Sequence, residues 1–239
     1  MFHPGGGGPM HRRSFDDEVL GKVYDSKVIA RLLPQGLRVV APDLVGLGLS
    51  DKPRSPAAHS LRMHVDVMAE LLEALDLRDV ILVGQDWGGP VVVGAGMKHP
   101  HRVRGMVLAN TAVLRPARPF RSKGFHRFSH APFVSDLVFR GLGFPLQVLD
   151  RAQGDPRSIG RLEKRAYRWP LRHARDRAAP LALARMVPDA EDHPSTPVMD
   201  EIGAWVEAFD GPAALVWGTR DPILGRALRR HREALPGAA

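Results

Sequence analysis

Four stretches of the chain are apolar at nearly every position, and between them the apolar residues recur at helical spacing. LRVVAPD at 37–43, DVILVG at 79–84, VRGMVLANTA at 103–112 and AALVWGTRDP at 213–222 each contain a short run that reads as a buried strand. Ser60 is a fitting N-cap, and after it Leu61, Val65, Met68, Leu72 and Leu75 fall on one face, so the pattern predicts an amphipathic helix over 61–76. WGGPVVVGAGMKHP has helix length and closes at Pro100; ILGRALRRHREAL follows the last apolar run as a further helix. Continuous apolar runs separated by helix-length segments point to a parallel sheet covered on both faces. The expectation is therefore an α/β fold in which 37–42, 79–84, 104–109 and 213–217 are neighbouring parallel strands.

The alternation stops at residue 113. From there to about 195 the chain holds helix-like segments and prolines but no convincing strand, so a helical insert interrupts the α/β core. The predicted organisation is a first core part over 1–112, irregular or divergent over 1–35, an insert over 113–195, and a second core part over 196–239. Gly5–Gly8 is the one low-complexity segment and reads as a flexible tail.

Composition narrows the chemistry. The 239 residues include no cysteine, which removes disulfides, thiolate metal sites and thiol nucleophiles and makes a reducing cytoplasm the natural location. No apolar run approaches a membrane span, and the opening MFHPGGGGPMHRR lacks a signal-peptide core, so no membrane partner is expected. The net charge of +8 is uneven: residues 115–178 carry fifteen Lys/Arg against five Asp/Glu, which leaves the rest net acidic. No nucleic-acid motif accompanies that block, so it reads as solvated helix faces that can still attract anions, with no nucleic-acid partner.

The chemistry concentrates in LVGQDWGGP, residues 82–90. A strand that runs through a tight glycine turn into a helix is the setting of a nucleophile elbow. Gly84 and Gly88 are expected to leave room for the turn, and the helix N-terminus supplies N–H groups and positive potential beside residue 86. That residue is Asp86, not serine. A carboxylate is already anionic at neutral pH, so it attacks without a base, and its natural target is an sp³ carbon bearing a leaving group or a strained ring. The alkyl ester so formed must then be hydrolysed at its carbonyl, which needs a base and an oxyanion hole.

GQDWGG, VVAPDLVGLGLSDKP, LANTAVL and VWGTRDPIL, in that order and spacing, together resemble the haloalkane dehalogenase branch of the α/β-hydrolase superfamily over about residues 36–239. The resemblance implies a mostly parallel sheet flanked by helices, a helical cap over the substrate pocket, and no cofactor or metal. It implies Asp86 as nucleophile, Trp87 as halide holder and backbone oxyanion donor, and Asp221 as the acid that orients a histidine. Trp169, in YRWPL, is a candidate second halide donor. Each has a plainer alternative: core packing for Trp87, a helix N-cap for Asp221, the interior of the cap for Trp169. Asp43 and Asp51 read as turn-forming residues.

Two family features are missing. The family's histidine comes from beyond a further strand and helix, whereas here 18 residues follow Asp221 and hold only His231, which reads as a surface histidine among arginines. The early HG-x-P turn has no convincing counterpart, and the chain looks truncated at both ends. The expected function is a hydrolase that displaces halide from a small apolar substrate; oligomerisation is left open. The alternatives are a β-lactone decarboxylase, an epoxide hydrolase, or a non-catalytic fragment. Epoxide hydrolases use two cap tyrosines, and only Tyr167 falls in the insert.

Overall fold

Ser60 opens the first long helix in the way its side chain demands. In the computed structural model, which describes residues 28–115, 125–148, 157 and 159–239, its hydroxyl accepts the Met63 N–H at 3.1 Å. Helix α1 then runs over Leu61–Ala74, and Leu61, Val65, Met68 and Leu72 are buried as their spacing requires. Leu75 lies outside it as the C-cap and is 40% exposed. Strand β1 (Val80–Asp86) leads into helix α2 (Gly88–Lys98), and β2 spans Val103–Thr111.

Helices α3 (Phe125–Ser129), α4 (Arg161–Arg168) and α5 (Ala178–Arg185) follow between β2 and α6 (Ser195–Glu207), which leads to strand β3 (Ala213–Val216) and helix α7 (Leu228–Ala234). The strands pair in parallel in the order β1-β2-β3. Three of the four expected strands are thus neighbours in one sheet.

The fourth is not. Residues 37–42 form no strand, and β1 pairs only with β2 among the described residues. Apolar content gives a segment the capacity to pair but no partner: Leu37 and Val40 remain exposed. The two faces are covered unequally among the described residues. The inward row of Leu82, Met106 and Leu108 joins α1, α2 and α6 in one core, while Ile81, Val83 and Val216 on the opposite face are each more than half exposed. A continuous apolar run carries no alternation, so it cannot distinguish a strand buried on one face from one buried on two.

The chain that leaves β2 is fastened to α6 and to the segment before it. Arg115 reaches Asp200 of α6 at 2.6 Å and Glu191 at 3.0 Å. Beyond β3, Ala239 exchanges two backbone hydrogen bonds with the strand, at Ala213 and Leu215. Among the described residues no helix is long and apolar enough to cross a membrane.

Two buried histidines join α1 to the loop before it. His59 Nδ1 lies 3.3 Å from His64 Nε2 and the rings stack at 5.4 Å, so one ring donates and the other accepts. Burial, then the neighbouring His59, pushes His64 down from 6.5 to about 4; burial lowers His59 as well. Both rings are held neutral, so the unfolded chain takes up protons first as pH falls. The contribution of this pair is complete above about pH 6.5 and declines as the pH drops toward 4. The His64 shift alone corresponds to about 3 kcal/mol. Urea unfolding across this pH range should show that decline and a flatter profile in His64→Asn; an equally steep profile in the variant would refute the assignment.

Candidate active site

The turn after β1 is forced by close approach. Asp86 adopts φ 48°, a left-handed conformation uncommon outside glycine that aspartate tolerates better than most side chains. A Cβ on Gly84 would stand 2.5 Å from the Gly89 Cα, and one on Gly89 would overlap the Thr111 hydroxyl. That hydroxyl donates to the Asp86 carbonyl at 2.7 Å, tying the elbow to the end of β2. Gly88, by contrast, faces open space. The expectation that Gly84 and Gly88 bracket the turn is therefore corrected: Gly84 and Gly89 are the pair that contact requires, because the helix presents Gly89 to the sheet. The ladder slips by one residue between Gln85 and Asp86, which lifts residue 86 out of register.

Asp86 opens to solvent on one side and is crowded by protein on the others. Burial pushes its carboxyl above the ordinary carboxylate range and the Asp221 charge adds to this, while the Trp87 backbone N–H pulls it back. Trp87 is half-buried and packs against the central core at the start of α2, so its N–H serves the carboxylate and its ring serves packing.

Asp221 sits in the turn after β3. Its Oδ1 accepts the N–H groups of Ile223 and Leu224 at 2.8 and 3.0 Å and so braces the turn itself; the helix N-cap expected as the alternative does not form, because the helical turns that follow begin at Gly225 and Leu228 with Leu224 and Ala227 as their caps. Its Oδ2 accepts from Asn110 Nδ2 at 2.9 Å. Desolvation raises this carboxyl, but the three donors together hold it below its ordinary value. Asp221 therefore stays an anion near enough to Asp86 to be felt there.

Asn110 was not singled out by sequence reasoning, although LANTAVL contains it. At φ 34°, it also accepts the Gly218 N–H at 2.6 Å and donates to the Gly218 carbonyl at 3.2 Å, so it clamps the end of β2 to the turn that carries Asp221. An Asn at a strand end is a signal, since its amide can satisfy a neighbouring backbone in a left-handed conformation.

His231 is not on the surface. It is fully buried against Trp217, with ring centroids 5.0 Å apart. Its Nδ1 donates to the Ala227 carbonyl at 2.8 Å and its Nε2 accepts the Val113 N–H at 3.3 Å. Burial lowers its pKa, and both ring nitrogens are spent on backbone groups. The surface reading failed because α7 turns this one position inward, between Arg230 and Arg232.

Trp169 stacks under the Arg172 guanidinium, 4.2 Å from the ring centre, and lines a cleft that includes none of Asp86, Trp87 and Asp221. Asp43 is a loop brace, as expected: its carboxylate accepts the Leu49 N–H at 2.8 Å. No group of three His, Cys, Asp or Glu side chains among the described residues could hold a metal ion.

Comparison with known proteins gives the family and the fold. The family model described as alpha/beta hydrolase fold matches residues 1–238. Haloalkane dehalogenase 1 of Mycobacterium tuberculosis H37Rv is 32% identical over 221 residues, covering 89% of this chain and 68% of the relative. The haloalkane dehalogenase of Mycolicibacterium paratuberculosis is 30% identical over 217 residues, with the same coverage. Among solved structures, the tetrameric haloalkane dehalogenase DpaA from Paraglaciecola agarilytica superimposes with a TM-score of 0.76 at 23% identity, covering 89% of this chain and 69% of that one. Haloalkane dehalogenase DbeA from Bradyrhizobium elkani gives 0.74 at 23% identity, covering 89% and 76%.

The two glycines of the elbow should respond in opposite ways. Gly89→Ala is expected to lose about 2–4 kcal/mol of stability, because its Cβ has no space beside Thr111. Gly88→Ala should be neutral or slightly stabilising at a helix start. Chemical denaturation of both variants checks this, and equal effects would contradict the contact described.

Proposed function

This chain belongs to the α/β-hydrolase fold family and to its haloalkane dehalogenase branch, and on that premise we propose that Asp86 displaces halide from an sp³ carbon. One Asp86 oxygen forms a bond to the carbon as the carbon–halogen bond breaks, and the halide leaves with the electron pair. The product is an alkyl ester on Asp86. The observation that supports this reading most is the left-handed Asp86 at the strand end, facing solvent beside a helix N-terminus.

Trp87 contributes its backbone N–H at the carboxylate and, by resemblance, its indole N–H to the departing halide. Asp221 is the acid of the site, with Asn110 positioning it. The insert is the cap, and the substrate class is small halogenated alkanes.

Hydrolysis of the ester is the weaker half. Among the described residues no histidine bonds to Asp221 or Asp86, and His231 is locked on backbone groups. Water alone attacks an ester slowly. This polypeptide should therefore alkylate once and stall.

Incubation with a reactive primary alkyl bromide should release about one halide per protein and leave a stable adduct at Asp86, absent from Asp86→Asn. Intact-protein mass spectrometry and halide release on one sample measure both. Because the Asp86 carboxyl is raised, alkylation should fade with acid at a pH above the ordinary carboxylate range. Steady multiple turnover would show a base that the described residues do not supply. Neither adduct nor halide, with folding confirmed by circular dichroism, would overturn the assignment of Asp86.

A further inference from the structure

Between α3 and α4 the chain carries an apolar face that the core does not use. Val134–Asp136 forms a helical turn that Leu137–Gly141 continues in the wider i→i+5 pattern. The Leu137 N–H bonds to the Phe133 carbonyl at 2.9 Å and the Leu142 N–H to the Leu137 carbonyl at 2.8 Å, so Phe133, Leu137 and Leu142 follow one another along one side. Phe133 is 88% exposed, Leu142 63%, Leu137 62% and Val134 50%. We propose that this face rests on an anionic membrane surface, with the four side chains sunk among the lipids and the neighbouring arginines on the headgroups.

The segment is held firmly from its other side. Ser135 and Phe139 are fully buried, and Phe139 clusters with Leu181 and Ala184 of α5. Arg185 donates to the Ser135 hydroxyl at 2.9 Å, and that hydroxyl donates to the Ala131 carbonyl at 2.8 Å. With the inner side anchored, the outer row stays displayed. Phe133 stands out further, at φ 60°, where a bulky side chain is rarely found. Large apolar side chains shown together on a fixed element mark a contact surface, and a strained residue among them is the kind of outlier that function retains.

Charge decides the partner. Arg177 donates to the carbonyls of Arg140 at 2.9 Å and Gly141 at 3.0 Å, and Arg168 to that of Leu146 at 3.3 Å, so both arginines lie against the segment that bears the row. Arg172 lines the same cleft as Gly143, Leu146 and Arg168. Arg127 is exposed on α3, which packs beside the segment. Residues 115–178 as a whole carry fifteen Lys/Arg against five Asp/Glu. A second copy meeting this face across a two-fold axis would bring that like charge together. A peptide would find no donor or acceptor among the four side chains of the row on which to set its register. A lipid surface needs neither: apolar side chains enter it shallowly while nearby Lys/Arg are drawn to its headgroups, and the two signals together hold where one alone is marginal. That no helix among the described residues can cross a membrane bears on spanning a bilayer, not on lying against one.

The test is co-sedimentation of the full chain with vesicles of phosphatidylcholine alone and of phosphatidylcholine mixed equally with phosphatidylserine. Binding to the mixed vesicles is expected, with little to the neutral ones and less as salt is raised. Phe133→Ser/Leu137→Ser should weaken it about tenfold or more, and Arg168→Gln/Arg172→Gln about tenfold. Urea unfolding of the first variant should stay close to the parent's, because both side chains are exposed. Val67→Ser removes an exposed apolar side chain from α1 and should leave binding unchanged. So should Asp86→Asn, which keeps this result apart from the fate of the dehalogenase reading. Absence of binding to the mixed vesicles would overturn the proposal, as would binding that survives the loss of Phe133 and Leu137 or falls equally in Val67→Ser. A large loss of stability in Phe133→Ser/Leu137→Ser would overturn it too, by showing the row covered by protein. A concentration-dependent dimer that the same variant abolishes, without vesicle binding, would give the face to a second copy instead.

Discussion

The close packing of Gly84, Gly89 and Thr111 is the contact on which the site depends. With no Cβ on either glycine, α2 approaches the sheet closely enough for the Thr111 hydroxyl to hold the Asp86 carbonyl. The chain must then turn sharply, and Asp86 takes up a left-handed conformation that costs of order 1–3 kcal/mol when isolated. The surrounding core supplies that energy: Leu82 of β1 and Val91, Val93 and Ala95 of α2 are all buried in it. Strain at Asp86 and order in the core are one arrangement.

The same logic extends to the other carboxylate. Asp221 is far from Asp86 in sequence, yet the Asn110 clamp fixes it to the strand whose next residue, Thr111, anchors the elbow. Adjacent residues at the end of β2 thus hold both acids. His231 acts one step further along, accepting the Val113 N–H where the chain enters the insert. It serves as a neutral pin between α7 and the departure point of the insert, and that employment is why it cannot serve as a base.

Much of this was legible in the residues themselves. The period of α1 and its Ser60 cap, the apolar runs of β1, β2 and β3, and Asp86 between glycines each have a local cause, and local causes can be read from sequence. What escaped depends on partners distant along the chain. Residues 37–42 have the content of a strand and no neighbour to pair with. Gly88 and Gly89 are indistinguishable until Thr111 is placed beside one of them. His231 looks solvated among arginines until α7 docks on Trp217. Trp169 resembles a halide donor in its motif, but the fold sets it in an arginine-lined cleft that Asp86 does not reach.

The central claim is that the elbow holds Asp86 ready to form a covalent bond to carbon. A crystal structure of the protein after exposure to a small alkyl bromide tests it most directly. Continuous density from one Asp86 carboxylate oxygen to the alkyl carbon, with Asp86 still in its left-handed conformation and Thr111 still on its carbonyl, is the expected result. An unmodified Asp86 beside an alkylated residue elsewhere, or an Asp86 relaxed to ordinary extended geometry, would contradict the account.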